Sequence, residues 1–247
     1  MNKISIFENE ELLSKAAANF IVMLSNKTIE ANGKFTIALS GGSTPSKLFS
    51  LLATPAYAKA INWKQTFIFW GDERCVPADD ERNNSHVAKK LLLNNVAIPA
   101  ENIFTVPVKM IPQKAAHHYE QTLKIFFKNQ HPSFDLILLG MGDNGHTASL
   151  FPKTPILLEA KDLVKEVYVK DLDMNRISFT APMINNAKNI IFLVTGKQKA
   201  AMLHTVIEGK QNTEKYPAQL IKPVKGNSLY WFIDKAAAVK LKKQKVL

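Results

Sequence analysis

The stretch FDLILLGMGDNGHTASLFP, residues 134–152, decides the fold. Residues 134–139 are a short apolar run after Pro132-Ser133, the pattern of a buried strand. Gly140, Gly142 and Gly145 follow at once, and then His146, Thr147 and Ser149. A buried strand that ends in glycines and then presents a histidine is how an open α/β sheet builds a site at the carboxyl end of a strand. Glycines let the backbone turn sharply and let a ligand come close. Imidazole is the side chain whose unperturbed pKa suits proton transfer near neutrality.

The same pattern recurs on both sides of this stretch. Residues 35–39 (FTIAL) read as a buried strand that runs into Ser40-Gly41-Gly42-Ser43-Thr44-Pro45. SKLFSLLA (46–53) then reads as a helix, with Thr44 as its N-cap and Pro45 as its first residue. Residues 67–70 (FIFW) form the next strand, and Gly71-Asp72-Glu73-Arg74 comes directly after it. Residues 190–194 (IIFLV) are another, with Thr195-Gly196 opening a helix over 197–208. Further helices are expected at 9–25, 85–94 and 113–129, and further strands at 102–106, 165–171, 176–180 and 229–233, followed by a helical tail. Strands alternate with helices, and no repeat or linker interrupts them. Residues 1–247 are therefore expected to form one α/β domain with a mostly parallel sheet flanked by helices.

In a parallel sheet the polar clusters at 40–45, 71–74, 140–146 and 195–199 gather at one edge. SGGSTP before a helix offers free backbone N–H groups, two hydroxyls and a positive helix end, which together make a phosphate cradle. It lacks the Gly-Lys-Ser/Thr ending of a Walker A loop. GMGDNG matches G-x-G-x-x-G, but a dinucleotide fingerprint opens a helix in the first βαβ unit, and here Pro152 and Pro155 follow within ten residues. His86, His117, His118, His131 and His204 show no metal-ligand spacing with a carboxylate partner, so no metal is expected. No G-x-S-x-G marks a serine nucleophile.

The totals narrow the class further. The formal net charge is +11, from lysines spread along the chain and denser only in KLKKQK (240–245). No basic run is interleaved with aromatics, so nucleic acid is not expected; a solvated lysine-rich surface is the favoured reading of the charge, with an anionic small molecule second. Only Arg74, Arg82 and Arg176 are arginines among 32 basic residues, so arginine falls where a planar fork for an anion is useful. Cys75 is the one cysteine, which fits a reducing compartment. Glu8, Glu10 and Glu11 near the start argue against a secretory signal, and no run approaches the length of a membrane span. A cytoplasmic protein is expected, monomeric or weakly homo-oligomeric.

LSGGSTP (39–45), WGDERCVP (70–77), LGMGDNGHTASLFP (139–152) and NRISFTAPMINNAKNIIFLVTGKQKA (175–200) resemble, in the same order and spacing, the 6-phosphogluconolactonase family. That family belongs to the wider group that includes glucosamine-6-phosphate deaminase. The resemblance covers residues 35–208 and implies a Rossmann-like α/β domain. It also implies hydrolysis of 6-phospho-D-glucono-1,5-lactone without metal or organic cofactor. On this reading His146 is the general base. Arg74 and glycine-loop N–H groups stabilise the carbonyl oxyanion, or Arg74 binds the phosphate instead. Asp72 positions sugar hydroxyls or Arg74. The phosphate lies between Gly41, Gly42, Ser43 and Thr44 on one side and Arg176 and Lys199 on the other. Where the family commonly has Asp two residues before the histidine, this chain has Asn144, with Asp143 beside it. An amide can hold the imidazole without stabilising its charged form.

Three other readings differ in chemistry. The deaminase relatives carry a glutamate five residues after the histidine, where this chain has Phe151, and an apolar ring moves no protons. A non-catalytic sugar-phosphate sensor would use the same fold, since fold does not fix function. A dinucleotide oxidoreductase would rest on GMGDNG alone.

Overall fold

The apolar runs become strands whose successive residues face two different buried layers, as the two-residue period of a strand requires. The computed structural model describes residues 2–128 and 130–242. In chain order the elements are β1 (Asn2–Phe7), α1 (Glu10–Asn32), β2 (Phe35–Leu39), α2 (Ser43–Leu52), α3 (Pro55–Ala58), β3 (Thr66–Trp70) and β4 (Asp72–Arg74). Then come α4 (Asn84–Leu91), α5 (Pro112–Phe126), β5 (Leu136–Leu139), β6 (Val164–Val169), β7 (Met174–Phe179) and α6 (Ala181–Asn185). The chain continues with β8 (Asn189–Val194), α7 (Ala200–Glu208), β9 (Ser228–Asp234) and α8 (Lys235–Ala238). The last residue of the helix expected at 113–129, and residues 243–245 of the lysine-rich tail, lie outside the described residues.

Six strands make one sheet in the order β1-β9-β8-β5-β2-β3, every neighbouring pair parallel. Ile37, Leu39, Ile68, Trp70, Leu136, Leu138, Ile191 and Leu193 face one layer, which α1, α2 and α4 cover with Leu13, Ile21, Leu48, Phe49 and Ala88. Their neighbours Ala38, Phe69, Ile137, Leu139, Ile190 and Phe192 face the other layer, built from α5, α6, α7 and α8. Both faces being covered is why these strands read as unbroken apolar runs.

The amino edge of the sheet is held by Asp135. Its carboxylate accepts from the Thr36 backbone N–H at 2.9 Å, the Thr36 hydroxyl at 2.8 Å and Lys188 Nζ at 2.8 Å. This buried group sits at the end away from the glycine turns, so its work is to fix the register of β2, β5 and the entry to β8.

A second sheet, β4-β7-β6, is antiparallel and was not expected as a separate layer. β4 starts one residue after β3 ends, and Phe179 N–H donates to Gly71 O at 2.8 Å where the chain changes sheets. Other differences are local. β1 pairs with β9 from the far end of the chain. The helix expected at 9–25 continues to Asn32, where Gly33 stops it in the left-handed region at φ 74°. Thr44 is not an N-cap: α2 begins at Ser43 behind Gly42, and the Thr44 hydroxyl turns to Thr195 Oγ1 at 2.7 Å. The strand expected at 102–106 does not form: Asn102 ends a 3-10 turn, and only Ile103 makes a bridge, to Ile68, with Pro99 and Pro107 bracketing the stretch.

Leu138 has no exposed surface and lies in the centre strand, whereas Leu158 is 89 % exposed. Leu138→Ala is expected to cost about 2–5 kcal/mol and Leu158→Ala less than about 0.5 kcal/mol in urea unfolding.

Candidate active site

The parallel sheet brings all four polar clusters to its carboxyl edge. β2 leads to β3 on one side, and the chain then crosses back to place β5 on the other side of β2. That reversal opens the crevice in which open α/β sheets bind ligands. A cleft of about 270 Å³ lies there, close to the small end of ligand sites. Gly41, Gly42, Ser43 and Thr44 from the β2–α2 turn line it, with Asp72 and Arg74 of β4, His146 after β5, Arg176 of β7, and Gln198 and Lys199 after β8. Of the residues to which the resemblance assigned a catalytic or binding role, Asn144 alone stands outside the lining, behind His146.

The turn after β5 is built to present the imidazole. Gly145 takes φ 79°, a conformation that side chains rarely adopt. Gly142 N–H donates to His146 O at 2.9 Å, and a Cβ on Gly142 would overlap the imidazole. The Thr147 hydroxyl donates back to Gly140 O at 2.8 Å, and Ala148 is held at φ 47° beside the cleft. Asn144 Oδ1 accepts from the His146 backbone N–H at 3.1 Å and lies 2.6 Å from ring Nδ1. The backbone N–H can only donate, so the amide presents its oxygen, and Nδ1 must carry the ring proton. Nε2, on the edge away from Asn144, keeps the lone pair. Asp143 takes no part in this: its carboxylate pairs with Lys199 Nζ at 2.6 Å.

Burial pushes the His146 pKa down to about 4. Asp72 opposes that shift, Arg176 and Lys199 add to it, and Asp143 opposes it. The ring is therefore neutral at pH 7, a proton acceptor ready for use.

The second sheet forms the wall opposite the imidazole. Arg74 and Arg176 are direct cross-strand partners in β4–β7, an arrangement that repels unless an anion lies between. Both have a buried Nε without a hydrogen-bond partner. Burial and the charge of Asp72 act in opposite directions on Arg176, with the net shift downward. Asp72 does not reach for Arg74, as one reading of the sequence had it. Its Oδ2 accepts from the Ser149 hydroxyl at 2.7 Å and faces Arg176 Nη1 at 3.9 Å. Arg74 Nη1 instead donates to Arg82 O at 2.6 Å.

Two supporting residues had no signal in the sequence beyond being polar. Glu73 is fully buried and accepts from the N–H groups of Arg74 (2.8 Å), Asn84 (2.7 Å) and Ser85 (2.8 Å). It thereby caps α4 from a distance, and Asn84 Nδ2 donates to Asp72 O at 2.9 Å. Burial raises the Glu73 pKa to about 7 against those three donors. Ser149 holds Asp72, a role visible only once β5 and β4 are side by side.

The family model described as glucosamine-6-phosphate isomerases/6-phosphogluconolactonase matches residues 8–231. The chain belongs to this family. Proteins named 6-phosphogluconolactonase from Synechocystis sp. and Nostoc sp. are each 38 % identical to it, over 97 % and 96 % of this chain and 98 % of theirs. The solved structure of 6-phosphogluconolactonase from Trypanosoma cruzi superposes with a TM-score of 0.87 at 29 % identity, covering 98 % of both chains. Membership in the family accounts for the Rossmann-like sheet. In this chain the small antiparallel sheet completes the cleft at the carboxyl edge.

If Asn144 is the group that sets the ring, a carboxylate in its place will favour the imidazolium and raise the pKa. Asn144→Asp is expected to raise the His146 pKa by about one unit or more, read by NMR titration of the ring protons. Asp143→Asn, whose carboxylate serves Lys199, is expected to move it far less. The reverse ranking would place the wrong residue behind the ring.

Proposed function

We propose that this protein is a single-domain, cytoplasmic 6-phosphogluconolactonase that hydrolyses 6-phospho-D-glucono-1,5-lactone to 6-phosphogluconate. This is the second step of the oxidative pentose phosphate pathway. The observation that carries the reading is a neutral imidazole with a free Nε2 in the same cleft as three cationic side chains, Arg74, Arg176 and Lys199. A base and an anion site one small molecule apart are what a phosphorylated lactone requires.

In the reaction His146 Nε2 takes a proton from a water molecule whose oxygen attacks C1 of the lactone. The carbonyl electron pair moves onto its oxygen, where Arg74 and backbone N–H groups of the glycine turns stabilise the charge. As the adduct collapses, the bond from C1 to the ring oxygen breaks, and the imidazolium returns its proton to that oxygen. The product is the open-chain acid. Asn144 keeps Nδ1–H occupied throughout, so Nε2 is always the working atom. The phosphate sits among Gly41, Gly42, Ser43, Thr44, Arg176 and Lys199, the first four offering N–H groups and hydroxyls at the start of α2. Phosphate there offsets the two cations that depress His146, so the base strengthens when substrate is bound. Asp72, held by Ser149, balances the charge of Arg176 and orients the sugar hydroxyls. Phe151 offers no proton-transferring group, which weighs against the deaminase reaction.

Purified protein added to freshly generated lactone is expected to speed lactone loss far above the spontaneous rate. His146→Ala is expected to lower kcat by about 10²–10⁴-fold while leaving 6-phosphogluconate binding nearly unchanged. Near wild-type turnover in that variant would remove His146 from the role of base.

Arg176→Ala and Lys199→Ala are each expected to weaken 6-phosphogluconate binding by about 1.5–3 kcal/mol in calorimetry. Arg176→Lys should rescue only in part, since an ammonium lacks the planar fork. Weak binding of unphosphorylated gluconate should stay the same; an equal loss there would mean that these side chains hold some other part of the sugar.

A further inference from the structure

One apolar ring touches both working halves of the cleft. Phe151 is 6 % exposed and does not line the cleft itself. Its ring lies against the His146 imidazole, centroids 4.1 Å apart and planes 19° from parallel. The Arg176 guanidinium carbon sits 5.2 Å from the centroid of the same ring. The backbone of Phe151 is fixed from its other side, where its carbonyl accepts from the Thr154 hydroxyl at 2.6 Å.

Neither partner of this ring is otherwise well restrained. Among the described residues the imidazole has one side-chain hydrogen bond, to Asn144, which holds one edge of the ring and leaves its faces to packing. Arg176 has Asp72 at 3.9 Å, beyond hydrogen-bond reach, and a buried Nε with no partner. A flat, rigid face supplies what both lack. Stacking stops the imidazole from rocking, and the negative face of a benzene ring attracts a guanidinium.

We propose that Phe151 is a positioning residue whose ring sets the plane of the His146 imidazole and the seat of the Arg176 guanidinium together, coupling the base to the anion-binding arginine. The ring also keeps water from one face of the imidazole. The charged groups around His146 are Asp72 from β4, Arg176 from β7, Lys199 after β8 and Asp143 from its own turn. Replacing Phe151 removes none of these four charges, so a change at His146 reports the ring or the Arg176 that it seats.

The proposal rests on the lactonase reading for the roles of the two partners, and its test does not depend on turnover. Inorganic phosphate and 6-phosphogluconate are titrated into wild type, Phe151→Leu, Phe151→Tyr and Phe151→Ala, and the His146 ring is titrated by NMR in each. Leucine keeps the core filled and removes the flat face, so Phe151→Leu should bind both ligands about five-fold or more weakly. Phe151→Tyr should bind them as wild type does. Phe151→Ala also admits water, and its His146 pKa should rise by about one unit or more toward the ordinary value. Wild-type affinity in Phe151→Leu overturns the proposal, as does an unmoved His146 pKa in a folded Phe151→Ala. If the alanine variant does not fold, the leucine and tyrosine variants decide. Absence of lactone hydrolysis by the wild type would count against the proposed function and leave these two readouts standing.

Discussion

All six strands of the main sheet point the same way, and the site depends on that one constraint. Parallel strands need crossover connections, and those connections place every strand-to-helix turn at the carboxyl edge. The turns after β2, β3, β5 and β8 are the four polar clusters. The first and last of them are far apart in sequence, yet Thr44 and Thr195, 151 residues apart, share a hydroxyl hydrogen bond of 2.7 Å. At the opposite edge Asp135 ties β2 to β5 and reaches Lys188, so the register that brings the turns level is held from below.

The second sheet turns an edge into a cleft. Because β4 begins one residue beyond β3, Asp72 and Arg74 leave the main sheet at the level of the His146 turn, and β7 brings Arg176 opposite Arg74. Two arginines facing each other, each with an unpartnered buried nitrogen, oppose folding unless something negative compensates. Asp72 compensates in part. The remaining positive charge acts on His146, which burial already holds neutral. The same electrostatics therefore favour an anion in the cleft and a neutral imidazole beside it.

Much of this was legible in the residue order, and the limits have physical causes. Runs such as FTIAL, FIFW and IIFLV carry their burial on their face, since both sides of a central parallel strand are apolar. The glycine turns and His146 follow from local chemistry. What escaped was decided by partners far along the chain. Asn2–Phe7 is a strand only because β9 lies beside it. The apolar stretch at 102–106 has strand propensity, but its only bridge among the described residues is Ile103 to Ile68. Glu73 and Ser149 are ordinary polar residues until the helix end and the carboxylate they serve are placed next to them. The sequence left open whether Asn144 or Asp143 stands behind His146, and the backbone N–H that Asn144 accepts separates them.

The proposed mechanism requires that a half-buried, neutral imidazole held by an amide becomes the base when a phosphorylated sugar enters. It is tested most directly by NMR titration of His146 in the wild-type protein, free and saturated with 6-phosphogluconate. The free ring is expected to be protonated at Nδ1 with a pKa near 4, rising by about one unit or more when the ligand neutralises Arg176 and Lys199. A free ring that titrates near its ordinary value, or one whose titration ignores the ligand, would contradict it.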